Sequence, residues 1–137
     1  LAHSWEATPQ TSNHTLSPET LSKAGVVMFG VFDGDEVIGC GGLKPLGSGM
    51  AEVKSVHVSE TARGRGVARV LMTHLHAHAA QIGVHTLVLE TGADHLGEYD
   101  AARGLYERLG YAYCGPIPGY APDPNSAFMR LVLDPTP

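Results

Sequence analysis

The stretch from Ala51 to Ala80 leaves a chain of this kind few folds to choose from. It reads AEVKSVHV, then SETARGRGVAR, then VLMTHLHAHAA. Val53, Val56 and Val58 make the first part a half-buried to buried strand. Val67, Val70, Leu71, Leu75, Ala79 and Ile82 recur at helical spacing and lay an apolar stripe along the third. Arg63-Gly64-Arg65-Gly66 falls where that helix begins. The first N–H groups of a helix have no partner within it, and the helix dipole adds partial positive charge there. Glycines let the backbone approach a ligand closely, and arginines add fork-shaped cationic donors. Strand, glycine turn and open helix end together make an anion seat suited to a phosphate or pyrophosphate.

Two common phosphate cradles do not fit. A dinucleotide turn needs a third glycine where Arg69 stands, and the Gly-Lys-Ser/Thr of a P-loop is absent. The anion preference is local, because 14 acidic against 9 basic residues give a formal charge of −5. That balance excludes a nucleic-acid binder working through a broad basic face. No apolar run approaches the roughly 20 residues a membrane helix needs, and no charged-then-apolar leader opens the chain. Cys40 and Cys114 lack metal-ligand or redox spacing and read as small buried residues of a reducing compartment. A cytoplasmic protein without nucleic-acid or membrane partners is therefore expected. His74-x-His76-x-His78 invites a metal, but only His74 and His78 share a helix face and no H-E-x-x-H pattern is present. A solvated helix face is expected, and no metal.

The rest of the chain supplies a sheet for this turn. Residues 1–25 are polar, with a short helix from Ser17-Pro18-Glu19 to about Ala24, and Trp5 reads as a ring packed on the domain edge. Val26–Phe32 and Glu36–Lys44 are strands joined by a hairpin turn at Asp33-Gly34-Asp35. Gly39, Gly41 and Gly42 in the second strand suggest bulging or a close neighbour. After the long helix, stopped by Gly83, come a strand over His85–Thr91, a helix over Tyr99–Leu109, a short strand over Tyr111–Cys114 and a last strand over Ala127–Leu133. The expectation is one α+β domain spanning 1–137, of order (α)βββαβαββ.

Arg63-x-x-Gly66-x-Ala68 resembles the Arg/Gln-x-x-Gly-x-Gly/Ala signature of the GNAT superfamily of acyl-CoA N-acyltransferases. Leu105-Tyr106-Glu107-Arg108-Leu109-Gly110-Tyr111 resembles that superfamily's Leu-Tyr-Glu-x-x-Gly-Phe/Tyr segment. Leu89-Glu90-Thr91-Gly92, Cys114-Gly115-Pro116 and Asp123-Pro124-Asn125-Ser126-x-Phe128-Met129 resemble a bacterial subgroup of largely uncharacterised acetyltransferases. The likeness runs from about Asp33 to Leu133. It implies a central, mixed, mostly antiparallel twisted sheet with helices on both faces, and a chain that enters late in the family's opening helix. It also implies acetyl-CoA as co-substrate and direct transfer to a primary amine of a small molecule. A CoA-binding sensor or regulatory module without turnover is the alternative. One departure is Tyr99, where the family often has an Asn that reaches the pantetheine arm.

By this resemblance the CoA pyrophosphate lies on backbone N–H groups of Arg65, Gly66, Val67 and Ala68, beside Arg63 and Gly64. The pantetheine arm runs along Val56, His57 and Val58 and against Ala102, with the Val56 N–H polarising the thioester carbonyl. Tyr106 matches the tyrosine that protonates the departing thiolate, for which a phenol is chemically competent; otherwise it is a core aromatic. Two acids on neighbouring strands, Glu52 and Glu90, are candidates for the base, since buried carboxylates are uncommon unless paired or functional. Glu52 ranks first, although it shares a strand face with Lys54; Glu90 is the base, an amine-binding group or a solvated rim residue. The Gly115–Asn125 loop, with Tyr120 and Asp123, either covers the acceptor pocket or forms a homodimer edge.

Overall fold

The computed structural model describes residues 25–133. Strand β1 (Val27–Asp33) turns at Gly34, φ +65°, into β2 (Glu36–Gly47). A tight turn through Ser48 and Gly49 leads to β3 (Met50–Val58). A 3-10 turn at Glu60–Ala62 precedes α1 (Val67–Gln81), and β4 (Thr86–Gly92) follows. A second 3-10 turn at Gly97–Tyr99 opens α2 (Asp100–Arg108), and β5 (Ala112–Cys114) and β6 (Ser126–Val132) complete the order βββαβαββ.

The six described strands form one sheet in the order β1-β2-β3-β4-β6-β5. All neighbours are antiparallel except β3 and β4, whose parallel pairing is what the α1 crossover requires. The architecture is the mixed, mostly antiparallel α+β sheet expected. Both described helices pack against the same face. Leu71, Met72, Leu75 and Ala79 of α1 and Tyr106 of α2 share a core with Ala51, Val53, Leu87, Leu89 and Met129. The stripe expected on α1 is narrower than the sequence suggested, because Val70 and Ile82 remain exposed. On the opposite face the loop after β5 lays Ile117 and Tyr120 over Val88 and Phe128. The helix expected before Gly25, and Trp5, lie outside the described residues.

Two irregularities shape the middle of the sheet. The first is a β-bulge. Gly42 stands opposite Lys54 and Cys40 opposite His57, so residues 55 and 56 of β3 together face Gly41. A bulge adds one residue to one strand and shifts its alternation of faces. Val53 and Val56, three apart, consequently both reach the helical side. Gly41 leaves only tight space for a side chain there. A Cβ would sit 3.1 Å from Leu71 and 3.2 Å from Val56.

The second irregularity is a fork. β3 and β4 pair only from Met50–Thr86 to Val53–Leu89, while β3 continues to Val58 and β4 to Gly92. Past Val53 the β4 side of β3 has no strand partner. Its backbone donors and acceptors there call for another partner, because buried peptide groups are rarely left unpaired.

Candidate active site

The turn after β3 has a backbone geometry that suits an anion. Gly64 (φ +83°) and Gly66 (φ +79°) both occupy the left-handed region, which side chains with a Cβ disfavour. Gly66 caps α1, its carbonyl accepts from the Val70 N–H at 3.1 Å, and it offers no side-chain cap. The N–H groups of the first helical turn therefore remain available to a ligand. Arg63 folds back over the end of β3, its Nε donating to the Val58 carbonyl at 3.3 Å.

A cavity of about 600 Å³ opens between this turn, the forked end of β3 and α2. That size suits a small-molecule site. Of the residues expected on the cofactor side, it is lined by Val56, His57, Val58, Arg63, Gly64, Gly66, Val67 and Ala68 from one wall, and by Ala102 and Tyr106 from the other. Arg65 is not among the lining residues. Its guanidinium reaches outward to Asp33 at 3.6 Å, with both side chains more than half exposed. Arg69 and Arg108 line the cavity instead. The pocket is thus cationic within an acidic chain.

Tyr106, 6% exposed, forms part of the inner wall. Burial pushes its phenol up to about 12, so it is a protonated donor at every ordinary pH. Its ring lies 5.7 Å from that of Tyr111, whose hydroxyl is hydrogen-bonded to His76 Nε2 at 2.8 Å. Burial raises the Tyr111 phenol, with Tyr106 adding to the effect, and burial lowers His76. His76 is thus committed to the core, and the His78 ring packs edge-on against Phe29. Among the described residues no group of three metal-ligating side chains comes together.

Tyr99 also lines the cavity, and its ring covers Gly92 so closely that a Cβ there would collide with it. Behind it stands Arg103, a residue the sequence did not single out. Its guanidinium is 5% exposed and donates to the carbonyls of Gly92 and Ala93, both at 2.6 Å, with Asp100 as its ion-pair partner. This clamp ties the β4–α2 connection, with Tyr99 at its end, to the helix carrying Ala102 and Tyr106. The sequence signal was weak, because an Arg in a polar helix usually reads as solvated.

Glu52 and Glu90 lie away from this cavity. Opposite Glu52 on β4 is Val88, which belongs to the loop-covered side of the sheet, one residue before the fork opens. Glu52 is 4% exposed, accepts a hydrogen bond from the Tyr120 hydroxyl at 2.6 Å and has Lys54 at 3.6 Å, both at Oε2. Glu90 is exposed and accepts from Ser126 Oγ at 2.6 Å. A second cleft, about 710 Å³, lies along α2 by Asp94, Asp100, Glu107 and Tyr113, and contains none of the expected site residues.

The site thus joins a bare helix end, a forked parallel pair of strands and a buried phenol in the cavity wall. Comparison with known proteins gives the family. The model of the acetyltransferase (GNAT) family matches residues 2–111, and the chain belongs to that family. It is an N-acetyltransferase-type acyltransferase. It is 38% identical over 125 residues to the uncharacterised N-acetyltransferase YsnE of Bacillus subtilis, covering 91% of this chain and 82% of that one. The crystal structure of a candidate acyl-CoA N-acyltransferase from Klebsiella pneumoniae superposes with a TM-score of 0.75 at 35% identity, over 88% of this chain and 81% of that one. An aminoglycoside 6'-N-acetyltransferase complexed with coenzyme A shares the fold alone, with a TM-score of 0.69 at 20% identity over 87% and 79% of the two chains.

Proposed function

We propose that this protein transfers an acetyl group from acetyl-CoA directly to a primary amine of a small molecule. The observation that carries the reading is the fork. A cationic cavity meets it from the helical side, and a buried carboxylate stands beside it on the loop-covered side. Donor and acceptor can therefore meet through the gap without competing for one pocket. CoA fits the first wall: its pyrophosphate suits the N–H groups of α1 with Arg63 and Arg69, and its amide-bearing arm suits the unpaired edge of β3.

The chemistry divides among named groups. A substrate ammonium gives up two protons during acylation, the leaving thiolate takes one, and one reaches solvent. Glu52 accepts the first proton through bridging waters, since the strand carries it about 10 Å from Val56 across the bulge. Glu90, with Ser126, holds the ammonium. The Val56 N–H, at the bulge, polarises the thioester carbonyl as its oxygen gains charge. Tyr106 meets the thiolate. Leaving a tyrosinate at about 12 to protonate a thiol of about 8.5 would be roughly 5 kcal/mol uphill. Its chief service is consequently a hydrogen bond to the developing thiolate, worth more in a buried site than in water.

Calorimetric titration with acetyl-CoA and with desulfo-CoA tests the donor side. Saturable binding near one per chain is expected, weakened about tenfold or more by Arg63→Ala or Arg69→Ala and little changed by Arg65→Ala. Thiol release from acetyl-CoA in the presence of a panel of primary amines then tests turnover. Absence of saturable binding to folded protein would overturn the reading.

A further inference from the structure

We propose that Tyr120 is a positioning residue for the base: its hydroxyl holds the Glu52 carboxylate beside the fork, making the loop over residues 115–125 part of the catalytic apparatus. The inference rests on the reading of Glu52 as base.

Three observations point there. The contact is short, 2.6 Å from Tyr120 Oη to Glu52 Oε2, and joins groups 68 residues apart in the chain. The hydroxyl is aimed from a fixed base. Tyr120 N–H donates to the Ile117 carbonyl at 3.0 Å, Ile117 is buried against the sheet, and the Tyr120 ring packs edge-on to Phe128 at 5.6 Å. The far end of the loop is pinned where Ala93 N–H donates to the Asn125 carbonyl at 2.9 Å. A half-exposed phenol has water available and needs no protein partner, so its orientation serves the carboxylate rather than itself.

The surrounding charges fit this role. Facing Glu52 are Lys44, opposite it on β2, and Lys54 on its own strand, while Glu90 on β4 acts electrostatically on Tyr120. Tyr120 and Lys54 both address Oε2, so Oε1 can take a proton without breaking either contact. A hydrogen bond donated to a carboxylate favours its charged form, the form a base must present before it acts. The Glu52 hydrogen bond in turn pushes the Tyr120 phenol up to about 12, which keeps the donor protonated across the working range.

The test is Tyr120→Phe, which keeps the ring on Phe128 and removes only the hydroxyl. Carboxyl carbon NMR of glutamate-labelled protein follows the Glu52 resonance, assigned by its loss in Glu52→Gln. That resonance is expected to shift in Tyr120→Phe, because the carboxylate loses its hydrogen-bond donor. Thiol release from acetyl-CoA with tyramine and with putrescine as probe amines is expected to fall about tenfold, with the acid limb of the rate profile moving to higher pH. In a Glu52→Gln background the second substitution should cost nothing further, because a group acting through Glu52 has nothing left to act on. An unmoved Glu52 resonance overturns the role of Tyr120 whatever the rates. A Glu52→Gln protein with wild-type turnover overturns the base reading instead, even where the resonance moves.

Discussion

Gly66→Ala separates what the arginine turn does for the fold from what it does for the ligand. Gly66 sits at φ +79° as the cap of α1, and a Cβ built there meets no protein atom within 4 Å. The stability cost is therefore conformational and not steric. Placing an L-residue in the left-handed region costs about 1–2 kcal/mol. For a domain of this size that is a fall in Tm of about 3–8 °C. The same Cβ enters the cavity wall at the helix N-terminus, where CoA phosphate oxygens would approach the backbone most closely. Displacing one good charge-assisted hydrogen bond costs about 1.5–3 kcal/mol, so Kd for CoA should rise about 10–100-fold. Gly83→Ala is the control. Its φ is +86°, a Cβ there is equally free of neighbours, and it lies at the other end of α1. Thermal unfolding and calorimetric titration of both variants decide the matter. Equal losses of Tm with affinity lost only in Gly66→Ala are expected. Wild-type affinity in Gly66→Ala would refute the placement of the phosphates on this helix end.

Three further outcomes follow from the same geometry. Tyr106→Phe keeps the core ring but removes the donor, so turnover should fall about 10–100-fold while CoA affinity stays within about twofold, read by thiol release and titration. In the folded protein Tyr106 titrates at about 12 against about 10 when unfolded. Its contribution is therefore fully present below pH 10 and lost as pH rises toward 12, by roughly 3 kcal/mol. Urea unfolding at pH 9, 10.5 and 11.5 should show a shallower alkaline decline for Tyr106→Phe than for wild type; parallel declines would count against the burial argument. Arg103→Met should lower stability by about 3 kcal/mol or more, because it strips buried carbonyls of their donor, and Arg103→Lys should rescue little, lacking the planar fork. Denaturant melts of the two variants check this.

Much of the fold was legible because its signals are local. Asp33-Gly34-Asp35 between two apolar runs could hardly be anything but a hairpin, and the apolar stripe of α1 ran up to the helix stop. The arginine turn was equally plain, since positive φ restricts two positions to glycine and a bare helix end is written in the absence of a capping side chain. The bulge was partly legible too, since the glycines of β2 suggested bulging or a close neighbour and the structure places it opposite Gly41. Val53 and Val56 are three apart in a strand whose other apolar residues keep a period of two, and that slip marks an inserted residue. What the sequence did not reveal at Arg65 is the direction of its side chain: the hairpin turn carrying Asp33, distant in sequence, draws the guanidinium outward.

By itself, then, the sequence determined which segments become strand, helix and turn, and that one helix would start on glycines without a capping side chain, because these depend on side-chain period and backbone freedom within a few residues. Only the tertiary structure decided where β3 and β4 part, that Glu52 and the arginine-lined cavity lie on different sides of the sheet, that Arg103 clamps the loop behind Tyr99, and that Tyr120 reaches Glu52. Those facts depend on pairing register and on contacts between residues far apart in the chain, and no local pattern encodes where two such groups will meet.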